Sequence, residues 1–236
     1  MPTYGPPDHN LILRDVNTEK ATAAARPSAS GFVLAGGRSS RMGQDKAQVL
    51  FGGQPLALRA LLIFRQAGLS ASLAGGSASL AAFAPVVEDS KPGLGPLGGI
   101  CAALRSTSAR WAVFLPVDLP LLPAPLVKFL LDHARMTGRA VTLCSINGFA
   151  QTFPAVVDRA ALPSLETELA AGRAGCFSAF QAAAAGLSQP VTVLAVESLV
   201  QTGQVAHADG LPAARWFMNV NASDDLSRAK ACLSRA

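Results

Sequence analysis

The apolar run at residues 31–35, Gly-Phe-Val-Leu-Ala, breaks into a glycine-rich, basic stretch that continues to Lys46, and a helix-like segment follows at 56–67. A strand that ends in small residues and then feeds a helix commits this part of the chain to a βα unit. Its loop is also a natural seat for phosphate, because small residues let backbone N–H groups approach an anion. Arg41 and Lys46 add positive charge to that loop. Two familiar phosphate loops are excluded. A Walker A loop has four residues between its glycines and then Lys-Ser/Thr, whereas five residues separate Gly37 from Gly43 and Ala47 follows Lys46. The dinucleotide pattern Gly-x-Gly-x-x-Gly is also missing, since Gly36 and Gly37 are adjacent.

The rest of the chain repeats the alternation. Strands are expected at 32–35, 71–74, 85–88, 111–115, 141–145, 155–157, 191–196 and 216–220. Helices are expected at 56–67, 77–83, 98–105, 123–135, 160–171, 176–185 and 223–233, the last with Ser223 as N-cap and two acids in its first turn. The run Trp111–Leu115 is unbroken and apolar, as in the middle of a parallel sheet. Alternation at this spacing predicts an α/β fold: one domain over 31–236 with a doubly wound, mostly parallel, Rossmann-like sheet. Residues 1–30, rich in proline and small residues, read as a flexible extension.

Composition removes several function classes. The chain has 236 residues, 50% hydrophobic and 15% charged, with a formal net charge of +5. The charge is spread along the chain, so nucleic acid is not an expected partner. Cys101, Cys144, Cys176 and Cys232 are far apart, with no Cys-x-x-Cys, and read as buried free thiols in a reducing compartment. The N-terminus lacks the apolar core of a signal peptide and no apolar run has the length of a membrane span, so a cytoplasmic location without membrane contact is expected. His133 and His207 stand alone and read as structural or exposed. No Ser/His/Asp or Cys/His arrangement is evident, which argues against a covalent intermediate.

Three further motifs fall at expected strand ends, where α/β sheets bind ligands. After 85–88 comes Glu88-Asp89-Ser90, then a Gly/Pro-rich stretch through Gly95-Pro96-Leu97-Gly98-Gly99. It could lie flat against a nucleobase, with Asp89 holding a base amino group or a ribose, or it could be an ordinary βα turn. After 111–115 comes Pro116-Val117-Asp118-Leu119-Pro120. Asp118 suits a Mg²⁺ ligand, since magnesium takes one or two protein carboxylates and fills the rest with phosphate and water; it could equally form a turn. Near the C-terminus, Asn219-Val220-Asn221 offers side chains that both donate and accept, suited to a pterin or a phosphate, or simply to ending a strand.

The string Leu-Ala-Gly-Gly-x-Ser-x-Arg-Met-Gly-x-Asp-Lys at 34–46 resembles the signature of nucleotidyltransferases that activate sugars and cofactors. Its Gly-Gly form looks most like the molybdenum cofactor guanylyltransferases, and the Glu-Asp-x and Gly-Pro-Leu-x-Gly stretch, Asp-x-Pro and Asn-x-Asn fall in that family's order over 31–236. The resemblance implies a transfer of GMP from GTP to the terminal phosphate of molybdopterin carrying molybdenum, with molybdoenzymes as candidate delivery partners. It implies that Leu34, Ala35, Gly36, Gly37, Arg41, Gly43, Lys46, Asp89, Gly95, Gly99 and Asp118 bind nucleotide. Arg41, Lys46 and Asp118 would act in catalysis, Asp118 as the Mg²⁺ ligand, and Asn219 and Asn221 would bind the acceptor. Two alternatives stay open: a cytidylyltransferase or other sugar or cofactor nucleotidyltransferase, and a non-catalytic protein that holds nucleotide or cofactor. The family's asparagine after the second strand is replaced here by Ala74-Gly75-Gly76, and one of two expected basic residues near Arg173 by Ala174.

Overall fold

The computed structural model describes residues 28–36, 45–76, 78–88 and 93–233. The expected extension therefore falls outside the described residues up to residue 27. The first half of the chain runs β1 (Ala29–Leu34), β2 (Leu50–Phe51), β3 (Gln54–Pro55), α1 (Leu56–Gln66), β4 (Ala71–Ala74), β5 (Val86–Val87), α2 (Gly95–Ser106) and β6 (Trp111–Pro116). The second half runs α3 (Ala124–Thr137), β7 (Val141–Ile146), β8 (Phe149–Asp158), α4 (Leu162–Ala170), α5 (Cys176–Gly186), β9 (Thr192–Ala195), α6 (Val196–Gln201) and α7 (Ser223–Leu233). Short 3-10 turns at Lys46–Gln48, Ala78–Ala82, Arg159–Ala161 and Ala213–Arg215 link them.

Seven strands form one sheet in the order β5-β4-β1-β6-β8-β7-β9. β8 is antiparallel to both β6 and β7; every other pairing in this sheet is parallel. The sheet is therefore mostly parallel, as the alternation predicts. Helices cover both faces. Val33, Val113 and Leu115 point into a core shared with Leu56, Ala60 and Phe64 of α1 and Leu126, Leu130 and Ala134 of α3. The alternate residues Phe32, Leu34, Ala112 and Phe114 pack with Leu97, Ile100 and Leu104 of α2, Leu165 of α4 and Phe180 of α5. Phe32 and Phe114 are register partners, and their rings stack at 5.7 Å. Gly31 lets α1 come close: a Cβ there would lie 2.7 Å from Phe64 Cδ1.

Several expectations are corrected. Residues 216–220 form no strand; Trp216 closes a 3-10 turn, lies 1% exposed in the core, and its indole donates to the Leu211 carbonyl at 2.8 Å. The apolar pattern there records isolated anchors, Trp216 and Val220, not a sheet edge. The strand expected at 191–196 ends at Ala195, and Val196 instead opens α6. The strand expected at 155–157 is the ten-residue β8, whose first two residues are exposed and the next three half-buried, and which follows an Asn147-Gly148 turn with both φ values positive (51° and 79°). Asn-Gly is the residue pair that a two-residue hairpin favours, and it was a signal available in the sequence. The helix expected at 160–171 divides into a 3-10 turn and α4, with Pro163 near the α4 start. The segment expected as a helix at 77–83 is a 3-10 turn at Ala78–Ala82. Ser223 is the first residue of α7, not its cap. The Ala222 carbonyl accepts from Leu226 N, and the Asp225 carboxylate reaches back to the N–H groups of Asn221 and Ala222, both at 3.0 Å.

All four cysteines are free; Cys101 and Cys144 are buried, while Cys176 and Cys232 are only half-buried. Burial is the main cause pushing the thiols of Cys101 and Cys176 up to about 11 and Cys144 up to about 12, so none of these three is a thiolate at neutral pH. Among the described residues, no helix is long and apolar enough to cross a membrane.

Trp216 pins the chain between α6 and α7 to the core. Trp216→Ala is expected to cost about 3–5 kcal/mol of unfolding free energy, read from a urea melt, because it combines a large cavity with an orphaned Leu211 carbonyl.

Candidate active site

The register sets the site. Leu34 pairs with Ala74 on one side and Pro116 on the other, and Ala74 pairs with Val87, so the carboxyl ends of β5, β4, β1 and β6 lie in one row. The chain leaves β1 for β4 and β5, then crosses back through α2 to β6. The strand order thus reverses between β1 and β6, and α1 and α2 lie on opposite faces. Ligands of open α/β sheets bind in the crevice at such a reversal.

Lys46 reaches that crevice from the β1 side. It opens a 3-10 turn capped by Asp45, whose Oδ1 accepts from Ala47 N at 3.0 Å. Ala47 and Val49 are buried, and the Val49 carbonyl accepts the first N–H of α1 at 2.9 Å, so the turn is fastened to the core beneath the lysine. Asp118 arrives from β6. Val117 N donates to the Leu34 carbonyl at 3.3 Å, which carries the sheet ladder one residue past β6, and Asp118 then turns over the edge. Lys46 Nζ lies 3.2 Å from Asp118 Oδ2, and each side chain is 21% exposed.

The C-terminal segment closes the third side. Val220 N donates to the Asp118 carbonyl at 2.9 Å. Lys46 Nζ donates to Asn221 Oδ1 at 2.7 Å. A lysine ammonium only donates, so this contact fixes which way the Asn221 amide faces. Asn219 is exposed, and among the described residues its side chain makes no hydrogen bond. Lys46, Asp118 and Asn221, which the sequence divided between nucleotide and acceptor, therefore meet at one ammonium.

Arg59 and His207 support the loop that carries Asp118. Arg59 Nε donates to the Pro120 carbonyl, and its guanidinium lies 4.8 Å above the Phe51 ring. Burial holds that guanidinium below the usual arginine range, and Asp209 opposes the shift. His207 packs against Trp216 with ring centroids 6.2 Å apart, accepts at Nδ1 from Asp209 N, and lies 3.2 Å by Nε2 from the Leu121 carbonyl. It is structural, one of the two readings the sequence allowed. Sequence reasoning missed Arg59, because a lone arginine inside an amphipathic helix carries no local mark of its loop contact.

The remaining site residues are placed as follows. Gly37, Arg41, Gly43 and Asp89 lie outside the described residues. Leu34 and Ala35 are buried at the end of β1, while Gly36 is exposed beside Gly75 and Gly76. A Cβ at Gly36 would come only to 3.7 Å from Gly75 Cα, an ordinary contact, so the fold itself tolerates a side chain there. The Gly75 N–H is taken by the Val87 carbonyl at 3.0 Å and is not free to replace the missing asparagine as a nucleotide donor. Residues 95–99, expected as a loop ahead of a helix at 98–105, are the first turns of α2; Pro96 is tolerated there because first-turn N–H groups need no helical partner. Gly95 has φ +66° and is exposed, whereas Gly99 is buried in the helix. Gly98 is required by packing, since a Cβ would lie 2.6 Å from Leu94 Cβ. Arg173 forms a two-pronged ion pair with Glu168, at 2.6 and 2.7 Å. That pairing holds the Glu168 carboxyl below its usual range.

Asp118 fits a magnesium site of the kind that leans on its substrate. Lys46 engages one carboxylate oxygen, leaving Oδ1 without a partner among the described residues. No group of three or more His, Cys, Asp or Glu side chains comes together there among the described residues. A single half-exposed carboxylate matches Mg²⁺ when phosphates and water supply the remaining ligands.

Comparison with known proteins shows which family the chain belongs to. A probable molybdenum cofactor guanylyltransferase from Haloferax mediterranei is 32% identical over 209 residues, covering 84% of this chain and 90% of that protein. A molybdenum cofactor guanylyltransferase from Xanthomonas euvesicatoria is 44% identical over 103 residues, 43% of this chain; the match spans only about half of that relative, 53%. Among solved structures, the molybdopterin-guanine dinucleotide biosynthesis protein A of Archaeoglobus fulgidus superposes with a TM-score of 0.70 at 21% identity, covering 88% of this chain and 100% of its own. The 2-C-methyl-D-erythritol 4-phosphate cytidylyltransferase of Thermus thermophilus does so with a TM-score of 0.61 at 17% identity, covering 88% and 98%, and shares the fold. Residues 31–192 match the MobA-like NTP transferase domain. The chain belongs to that family, and so to the nucleotidyltransferases.

Proposed function

We propose that this protein acts in molybdenum cofactor biosynthesis, transferring GMP from GTP to the terminal phosphate of molybdopterin carrying molybdenum and releasing pyrophosphate. The observation that carries this reading is the pairing of Lys46 with Asp118 at 3.2 Å at the point where the strand order reverses, in a chain whose relatives bear guanylyltransferase names. An acceptor phosphate oxygen forms a bond to the α-phosphorus of GTP. The bond from that phosphorus to the bridging oxygen breaks, and pyrophosphate leaves with the electron pair. A phosphate monoester, with a second pKa of about 6, is already a dianion near neutral pH, so the step needs no strong general base. The protein's task is alignment and the neutralisation of charge.

Lys46 offsets charge on the triphosphate and then on the leaving pyrophosphate. Asp118 would hold Mg²⁺, which when bound supplies further positive charge beside the phosphates. The N-terminal turn of α2, opened by the exposed Gly95 and without a capping side chain among the described residues, would offer backbone N–H groups to an anion or a base edge. Gly36 keeps a bare backbone at the edge of β1, where the fold itself does not demand glycine.

The test is an incubation of the protein with each of the four NTPs, Mg²⁺ and molybdopterin, with products identified by mass. A guanine dinucleotide formed with stoichiometric pyrophosphate is the expected result. A cytosine dinucleotide, or tight binding without pyrophosphate release, would replace this reading by a cytidylyltransferase or a carrier protein.

A further inference from the structure

We infer that Asn221 is a positioning residue for Lys46, so that it acts in the nucleotide half of the site and not only on an acceptor. The inference rests on the reading of this crevice as a site for a nucleoside triphosphate with Mg²⁺. The Lys46 ammonium has two oxygens around it among the described residues, and the nearer is the neutral amide of Asn221 at 2.7 Å rather than the carboxylate of Asp118 at 3.2 Å.

The two partners differ in how firmly they are held. Lys46 sits on a flexible four-carbon stem. Asn221 is exposed, yet its backbone is tied on both sides: its own N–H and that of Ala222 go to Asp225 Oδ2, and buried Val220 donates to the Asp118 carbonyl. Asp225 lies in the first turn of α7, so the helix fixes the amide and the amide fixes the ammonium. Asp118 cannot play that part throughout. A divalent cation held by its carboxylate would compete with Lys46 for the same negative charge. An uncharged acceptor is then the useful partner, because it orients the ammonium without cancelling the charge that the phosphates require. Lysine carries three donors, so two contacts in this arrangement leave one for a phosphate oxygen.

The experiment is a double-mutant cycle read by calorimetry, with GTP and Mg²⁺ and no acceptor present. Asn221→Leu is expected to weaken GTP binding by about tenfold in the protein with Lys46. In a Lys46→Met background the same change is expected to shift GTP binding by less than about twofold, since its target is gone. Asn221→Ser, too short to reach the ammonium, is expected to behave as the leucine variant does and serves if that one folds poorly. Unchanged GTP affinity in Asn221→Leu and Asn221→Ser would overturn the inference while leaving the proposed reaction intact. A tenfold loss that persists without Lys46 would overturn it as well, by showing a structural effect of the loop. A wild-type protein that binds no nucleotide overturns both readings. One that prefers CTP removes only the choice of guanine, and the cycle is then decided with CTP.

Discussion

Asp118→Asn is expected to lower turnover by about three orders of magnitude, close to 4 kcal/mol of transition-state stabilisation, while leaving the fold unchanged. The substitution is nearly isosteric and keeps an oxygen that can face Lys46. The backbone contact through which Val220 donates to the Asp118 carbonyl does not involve the side chain at all. What is lost is the negative charge, without which this half-exposed position holds a hard cation poorly. Single-turnover release of pyrophosphate from GTP, set beside a thermal melt, separates chemistry from stability. A variant that folds normally and turns over within about tenfold of the parent would mean that the metal, if required, is held elsewhere.

Lys46→Met is expected to produce two effects of opposite sign. Losing the ammonium removes a charge from the triphosphate and the leaving group, and kcat/KM should fall by about 100- to 1000-fold. The same change also frees the Asp118 carboxylate from its ion pair. Binding of Mn²⁺ alone, followed by electron paramagnetic resonance without nucleotide, should therefore tighten by about threefold, the scale of a partly exposed ion pair. A simple loss of folding would weaken both. Tighter metal binding in a nearly inactive protein thus reports directly on the competition between Lys46 and a cation for one carboxylate.

The sequence was most legible where burial and period agree. β6, buried along Trp111–Leu115, and α1, with its apolar stripe, fall within a residue or two of expectation. One pairing in the candidate site follows from local signals of a related kind: Lys46 after the first strand and the carboxylate of Asp118 at the end of β6 become neighbours through the register of β1 with β6. Three features were not legible. β8 was expected only at its buried residues 155–157; its outer residues carry no alternation, and only the Asn147-Gly148 turn marked them. Trp216 and Val220 imitated a strand because each is buried for its own reason. The meeting of Asn221 with Lys46 depends on how α7 is capped and where Trp216 is anchored, a tertiary arrangement that no window of sequence contains.

The bond between Lys46 and Asn221 spans 175 positions of the chain. A ribosome therefore delivers Lys46 and the strand-end carboxylate of Asp118 long before the Asn221 amide that accepts from the lysine. The nascent protein can complete most of its sheet and still lack the segment that closes the third side of this crevice. On the function proposed above, a chain cut short before Asn221 is expected to hold nucleotide more loosely, as calorimetry with GTP would show.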